Sequence, residues 1–300
     1  MALTRTISRI IKSKPTLEGA GVHLRRVFGN HEVRLFDPFL LLDDFRSSVP
    51  EQYLKGFPWH PHRGIETITY VLAGDVEHGD SMGNRGTISS GDTQWMTAGS
   101  GIIHQEMPKG DAAGRMEGFQ LWSNLPRSHK MMDPRYRDVK NRDVPEVVLD
   151  NGVRVRIICG RVGTTQGPVR DIVVDPEYLD VTVPANAEFV HPTKRGYTVF
   201  AYVIEGAASF AQGKDASVAN GSCALYEDGD RVAITAGNGG VRFLLVSGKP
   251  IKEPVAWYGP IVMNTDEELD QAFHEYERGT FIKHKKGQAG SGPERKRGAT

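Results

Sequence analysis

The feature that most constrains the fold is a repeat within the chain. Residues 69–74, TYVLAG, resemble residues 201–206, AYVIEG, and residues 91–99, GDTQWMTAG, match residues 229–237, GDRVAITAG, at five of nine positions. The two matches are offset by 132 and 138 residues. A repeat at nearly constant spacing predicts two similar domains in tandem. With 300 residues in all, each copy is long enough to bury its own core.

Both copies have the sequence pattern of β-strands. Short apolar runs and alternating segments recur, as in TITYVLAG (67–74), FAYVIEGAASF (200–210) and VRFLLVSG (241–248), and Gly-Asp or Asn-Gly turns separate them. This spacing predicts an all-β sandwich or barrel for each copy. One segment departs from it, because residues 265–268 form a capping box and apolar residues then recur at helical spacing until Gly279. A single short C-terminal helix is therefore expected.

The predicted boundaries follow from composition. The stretch 126–146 is polar, contains three prolines and falls between the copies. We therefore predict an N-terminal domain at 1–135 and a C-terminal domain at 136–284. Residues 285–300 carry five basic residues against one acidic residue and no large apolar side chain, which predicts a disordered basic tail.

Charge and cysteine content exclude several classes of protein. Lys plus Arg and Asp plus Glu each number 37, so no global charge favours nucleic acid or an anionic membrane. No apolar run approaches the roughly 18 residues of a membrane span, and the basic N-terminus lacks a signal-peptide core. Cys159 and Cys223 are too few and too far apart for a disulfide framework, and buried, inert thiols are expected. A cytoplasmic protein is predicted, with a nuclear location also open in a eukaryote.

Two short motifs carry candidate metal ligands. His60 and His62 lie in WHPHRG, and His104 and Glu106 lie in GIIHQEMP. Residues i and i+2 of a strand point to the same face, so two such strands could enclose one ion. Imidazoles with one carboxylate suit a first-row transition metal and leave positions open for substrate or O2. The alternative is that these histidines are ordinary surface or core residues, because a chain of this composition often contains one such pair by chance.

Glu66 is a rival carboxylate. It follows His62 by four residues and has the same parity. A straight strand would carry it roughly 13 Å away, so it needs a bend that Gly64 could provide. Glu106 needs no such bend.

These motifs resemble those of a known family. The chain resembles the cupin superfamily in having an HxH pair, a following Glu, and a later Gly-Asp turn that leads to a His. More specifically, the chain resembles the pirin family in LFDPFLLLDDF (35–45), GFPWHPHRGIETITYVLAGDVEHGDSMGN (56–84), GDTQWMTAGSGIIHQE (91–106) and EYERGTFIK (275–283). The resemblance covers nearly the whole chain to about residue 283.

The resemblance implies two tandem cupin barrels of the double-stranded β-helix type, with one Fe(II)-type ion in the first. The implied ligands fall on His60, His62, His104 and Glu106, and other divalent transition metals suit the same set. The generic cupin pattern would favour Glu66 instead, and Thr97 stands where that pattern has Pro. We follow the pirin assignment.

The repeat also tests the second copy for ligands. The offset of 132 places Pro192 and Lys194 where His60 and His62 stand, and the offset of 138 places Arg242 and Leu244 where His104 and Glu106 stand. His191 lies one position before Pro192, but no other candidate ligand accompanies it. The second domain is therefore predicted to hold no metal and to be structural, or to shape a partner surface.

Side chains near the motifs have two interpretations each. Phe57, Trp59, Trp95 and Met96 could form the apolar wall of a substrate pocket, or ordinary barrel core. His78 and Asp80 could orient a ligand imidazole, although a turn explains Asp80 equally well.

Arg63 could bind an anionic substrate, but pairing with a carboxylate such as Glu66 is preferred.

The resemblance implies an activity as well. Bacterial pirin-like proteins are associated with quercetin 2,3-dioxygenase activity, in which O2 opens the ring of a flavonol and carbon monoxide is released. Glu106 would remain a ligand or accept the substrate hydroxyl proton. The alternative hypothesis is an iron-dependent redox sensor that binds a transcription factor or metabolic enzyme without turnover. A third hypothesis is a metal-dependent isomerase or hydrolase. No GxSxG, GxxxxGK[ST] or GxGxxG motif supports other chemistry.

Overall fold

The computed structural model describes residues 2–211 and 217–283, and the all-β prediction is confirmed. In the first half of the chain the elements are β1 (Ile7–Lys12), β2 (Lys14–Glu18), β3 (Val22–Phe28), α1 (Val33–Phe36), β4 (Phe39–Asp44), β5 (Phe57–His62), β6 (Ile65–Ala73), β7 (Asp75–Asp80), β8 (Arg85–Ile88), β9 (Thr93–Thr97), β10 (Ile102–Lys109), β11 (Glu117–Asn124) and β12 (Arg135–Val139). In the second half they are β13 (Glu146–Val148), β14 (Arg154–Cys159), β15 (Arg161–Val162), β16 (Thr165–Gln166), β17 (Glu177–Val183), β18 (Glu188–Pro192), β19 (Thr198–Ser209), β20 (Ser217–Ala219), β21 (Ser222–Tyr226), β22 (Arg231–Gly248), β23 (Ala256–Tyr258), β24 (Ile261–Met263) and α2 (Asp266–Glu277).

Each half forms an antiparallel barrel-like arrangement. In the first half, a seven-stranded sheet of order β12-β9-β6-β11-β4-β3-β2 faces a four-stranded sheet of order β5-β10-β7-β8. In the second half, the sheet order is β1-β21-β19-β22-β17-β14-β13, with β18 added to β22 and β20 added to β19. The predicted C-terminal helix is α2, whose Thr265 and Glu268 make both hydrogen bonds of the capping box.

Strand pairing confirms the repeat but corrects its register. β10 pairs with β5 as β22 pairs with β18. In the first half His104 is opposite His60 and Ile102 is opposite His62, and in the second half Ile234 is opposite Phe189 and Val232 is opposite His191. His191 therefore lies on the second-half strand that corresponds to β5.

The second-half positions predicted from the offsets are wrong. The buried residues of β18 are Phe189 and His191 rather than Pro192, and the part of β22 that pairs with β18 contains Val232 and Ile234 rather than Arg242 and Leu244. The reason is that the GDTQWMTAG segment continues into β9, which pairs with β6, whereas GDRVAITAG begins β22. The partner of β19 that corresponds to β9 is β21. In β18 and the part of β22 that pairs with it, His191 is the one histidine.

The two ends of the chain cross to the opposite halves. β1 pairs with β21 in the second-half sheet. The segment 256–283 lies on the first half, where the Val262 amide donates to the Arg63 carbonyl at 3.1 Å. β12 extends the first-half sheet to Val139, beyond the predicted boundary at residue 135. The domain ranges stay a prediction, and the predicted tail at 285–300 lies outside the described residues.

A shared core joins the halves. The rings of Phe28 and Phe36 are stacked at 3.8 Å, and Phe200 of the second half meets both edge to face. Both cysteines are free and buried in this core, as expected, and burial raises the pKa of Cys159 to about 12. Among the described residues, no helix is long and apolar enough to cross a membrane.

Candidate metal centre

Three histidines converge inside the first barrel. His60 and His62 are on β5, and His104 is on the adjacent strand β10. One ring nitrogen from each lies within 4.8 Å of the others. The i, i+2 spacing on an extended strand produces this arrangement, as the sequence predicts.

Backbone carbonyls fix the orientation of two of the rings. The His62 Nδ1 atom lies 3.0 Å from the Pro260 carbonyl, and the His60 Nδ1 atom lies 2.8 Å from the Pro58 carbonyl. A carbonyl only accepts hydrogen bonds, so each Nδ1 carries the proton and each Nε2 presents a lone pair. These two Nε2 atoms are 3.1 Å apart. Two lone pairs at this separation repel each other, and a cation between them removes the repulsion.

The third ring supports the same interpretation. Both nitrogens of His104 are buried and have no hydrogen-bond partner within the described part of the chain. Burial lowers the pKa of His62 and of His104 well below 6.5, so both are neutral imidazoles at neutral pH. Neutral imidazoles with unpartnered nitrogens are suitable donors for a divalent transition metal. The donor set therefore fits a metal ion.

Glu106 lies beside the histidines and is linked to a polar chain. Its Oε2 atom is 3.9 Å from His104 Nε2, and its Oε1 atom is 3.0 Å from the Thr69 hydroxyl, which is also 2.6 Å from Gln120 Oε1. The hydroxyl carries a single proton, so one neighbour must donate to it. The donor is either protonated Glu106 or the Gln120 amide with its nitrogen turned inward. Burial raises the pKa of Glu106 to about 7, so this carboxyl can exchange a proton near neutrality.

Glu66, the rival carboxylate, is engaged elsewhere. It accepts a hydrogen bond from the Thr97 hydroxyl at 2.6 Å, and Arg135 lies 4.0 Å away. Thr97 is opposite Glu66 in the β6–β9 pair. Its contacts are therefore with the seven-stranded sheet, whereas Glu106 is on the strand that carries His104.

A pocket of about 720 Å³ opens beside the histidines. His60, His62 and Glu106 line one part of it, and its apolar walls are formed by Leu24, Leu41, Phe45, Phe57, Trp122 and Trp257. The Trp122 ring lies 5.0 Å from the His62 ring and 5.9 Å from the Trp257 ring. Aromatic walls of this kind suit a planar aromatic ligand.

Only one of the four predicted wall residues lines this pocket. Phe57 does, but Trp59 is 51% exposed outside it, Trp95 is fully buried in the core between the halves, and Met96 packs in a separate apolar cluster. The sequence could have indicated Trp122 as a wall residue, since it lies two positions after Gln120, on the same face of β11. Trp257 was not, because it comes from the far end of the chain.

His78 and Asp80 form hydrogen bonds away from the three rings. His78 Nε2 lies 3.0 Å from the Gln94 amide nitrogen. Asp80 accepts from the Met82 and Asn84 backbone amides at 2.8 and 2.9 Å, which is the turn interpretation.

Arg63 pairs with a carboxylate, as preferred, but the partner is Glu275 at 2.8 Å rather than Glu66. Its guanidinium also stacks on the Phe281 ring at 4.2 Å. Arg63 therefore attaches the C-terminal segment to the first barrel and does not face the pocket.

Two cupin barrels, with one histidine cluster in the described part of the chain that lies inside the first barrel, define a bicupin protein with a candidate metal centre. Residues 21–123 match the family model for pirin, and residues 178–282 match the model for the pirin C-terminal cupin domain. The chain belongs to the pirin family.

Known proteins agree with this assignment. A pirin-like protein of Caulobacter vibrioides is 44% identical over 278 residues, which cover 92% of this chain and 99% of that protein. The crystal structure of a quercetin 2,3-dioxygenase from Acinetobacter baumannii has 30% identity and a TM-score of 0.85, covering 93% of this chain and 99% of that one. A bacterial pirin from Escherichia coli, solved with nickel(II), shares the fold at 21% identity and a TM-score of 0.61, covering 81% and 98%.

Proposed function

We propose that this chain is a metal-dependent dioxygenase that uses O2 to open the ring of a planar flavonol of the quercetin type. The observation that carries the proposal is the position of the three imidazoles beside an aromatic-walled pocket, with Glu106 next to them. The similarity to a solved quercetin 2,3-dioxygenase supports the same activity.

The proposed metal ligands are His60, His62 and His104, with Glu106 as a fourth. We propose one Fe(II)-type ion per chain, which would act as a Lewis acid and make the bound flavonol hydroxyl more acidic. Glu106 would accept the proton of that hydroxyl, since its carboxylate lies beside His104 and lines the pocket. Trp122 and Trp257 would hold the aromatic plane and exclude water.

The test is turnover by protein loaded anaerobically with Fe(II) and then exposed to air. Flavonol loss, O2 uptake and carbon monoxide release are measured together. We expect all three in the wild-type protein, and none above background in His62→Ala. The His191→Ala variant is the matched control, because His191 lies on the second-half strand that corresponds to β5 and should leave turnover intact. One bound iron per chain without flavonol loss would contradict the proposal and favour a regulatory role.

A further inference from the structure

A row of polar side chains crosses the seven-stranded sheet inside the first barrel. Strand pairing places Arg26 opposite Asp43, Asp43 opposite Gln120, and Gln120 opposite Thr69. Directly paired residues point to the same face of a sheet, so the four side chains form one line. All four line the large pocket.

One end of this polar row reaches the candidate metal centre and the other end is remote from it. Thr69 contacts Glu106 at 3.0 Å. At the far end, the Arg26 guanidinium binds Asp43 through two hydrogen bonds of 2.9 and 2.7 Å and Glu18 at 2.8 Å. Three strand spacings separate Thr69 from Arg26, which is about 14 Å measured along the sheet. The length of the row along the pocket is therefore similar to that of a ligand with several rings.

The chemistry of the far end suits a hydroxyl group. Asp43 is only 4% exposed, and Arg26 donates once to each of its oxygens. A carboxylate oxygen has two lone pairs, so each can accept one more hydrogen bond. Burying an ion pair is costly, and apolar residues would pack this barrel at least as well. An acceptor held rigidly by an arginine beside apolar walls is instead the arrangement that recognises a donor on a ligand.

We propose that Asp43, positioned by Arg26, determines specificity by accepting a hydrogen bond from a phenolic hydroxyl on the substrate ring farthest from the metal centre. Gln120 contacts the part of the ligand between the two ends. The substrate class is thus a planar aromatic hydroxylated at both ends. The orientation rests on the proposed function, which places the reacting hydroxyl beside Glu106.

The test compares two flavonols, one with a dihydroxylated pendant ring and one with that ring unsubstituted. Dissociation constants are measured anaerobically on metal-loaded protein by quenching of tryptophan fluorescence. Wild-type protein should favour the hydroxylated flavonol by about tenfold or more, the size expected for a hydrogen bond to a charged acceptor. The Arg26→Met/Asp43→Leu double variant removes the pair without leaving an unpaired buried charge, and its preference should fall to about one. Its affinity for the unsubstituted flavonol should stay within about threefold of wild type.

A matched control is the Asp180→Leu/Arg242→Met double variant. It removes a second bidentate pair, with contacts of 2.9 and 2.6 Å, from the other half of the chain. Its preference should equal that of wild type. A wild type without preference, or a double variant at Arg26 and Asp43 that keeps it, would overturn the inference. A preference for the hydroxylated flavonol without turnover would contradict the dioxygenase proposal alone. Turnover without that preference would contradict the inference alone.

Discussion

His62 depends for its orientation on a residue 198 positions away along the chain. Its Nδ1 proton is held by the Pro260 carbonyl, and its Nε2 atom faces His60. Losing a group that orients a metal-binding imidazole typically costs about 10- to 100-fold in affinity for the metal. The site therefore includes backbone from the C-terminal segment as well as the side chains of β5 and β10.

Replacing His62 by Ala should release the metal. Losing an orienting group alone costs up to about 100-fold in affinity, so losing a ligand should cost more. Metal content after dialysis measures the effect, and circular dichroism checks that the fold persists. His191→Ala should keep the wild-type metal content, because its ring contacts Glu177 at 2.9 Å in the second half, away from the three histidines. One ion per chain in dialysed His62→Ala would refute the site.

Replacing Glu106 by Gln should separate metal binding from proton transfer. The amide cannot accept the substrate proton, so turnover should fall by about 100-fold or more while much of the metal remains. Glu66→Gln is the control, since Glu66 binds Thr97 rather than the histidines. Single-turnover kinetics with both variants give the measurement. Equal rates for Glu106→Gln and wild type would exclude the role as base.

At the scale of elements, Lys130 attaches the C-terminal segment to the first barrel. Its ammonium is buried and donates to the Gly64 carbonyl at 2.9 Å, the Val262 carbonyl at 3.0 Å and the Asn124 side chain at 2.7 Å. These groups belong to the turn before β6, to β24 and to the end of β11. One side chain thus connects three segments that are distant in sequence, next to the turn that follows His62.

Stability of the metal-free protein should rise with pH because of Lys130. Burial lowers the pKa of Lys130 to about 7, against 10.5 for an exposed lysine. Between these values the unfolded chain binds more protons, so the free energy of unfolding increases with pH by at most about 1.4 kcal/mol per unit. Urea unfolding at pH 7, 8 and 9 measures the slope. Lys130→Met should lack this rise, and parallel curves for the two proteins would show that Lys130 is not its source.

Strand pattern explains which parts of the fold and site were predictable. Alternation predicts the strands and the two ligand pairs, and the capping box with helical spacing predicts α2, because these patterns depend on neighbours along the chain. The register of the repeat was misassigned because GDRVAITAG resembles GDTQWMTAG in sequence yet begins a different strand of the barrel. Trp257 and Pro260 gave no local signal, since their roles exist only once the C-terminal segment packs on the first barrel.

At the scale of the whole molecule, reciprocal hydrogen bonds join the two halves. The Tyr70 hydroxyl donates to Asp180 at 2.7 Å, and the Tyr202 hydroxyl donates to Asp44 at 2.7 Å. The two tyrosines are equivalent positions of the repeat, and each carboxylate belongs to the other half. Both pairs are buried, so each half satisfies a polar group of its partner.

Removing either hydroxyl should destabilise the molecule as a unit. Tyr70→Phe and Tyr202→Phe should each lower the free energy of unfolding by about 2 kcal/mol, as expected for a buried hydrogen bond to a carboxylate. Guanidinium unfolding should still show one transition. Tyr197→Phe is the control, because its bond to Asp175 is exposed and should contribute less than about 0.5 kcal/mol. Two separate transitions would mean that the halves unfold independently.

The crossing of the chain ends has a consequence for synthesis. A ribosome releases the N-terminal half first, and domains generally fold in that order. Here β1 emerges early but has to wait for β21, its partner in the second half. The first barrel in turn lacks Trp257 and the carbonyl that holds His62 until residue 260 has emerged. The histidine cluster is therefore complete, with the His62 ring fixed in orientation, only once residue 260 has emerged, long after the three histidines themselves.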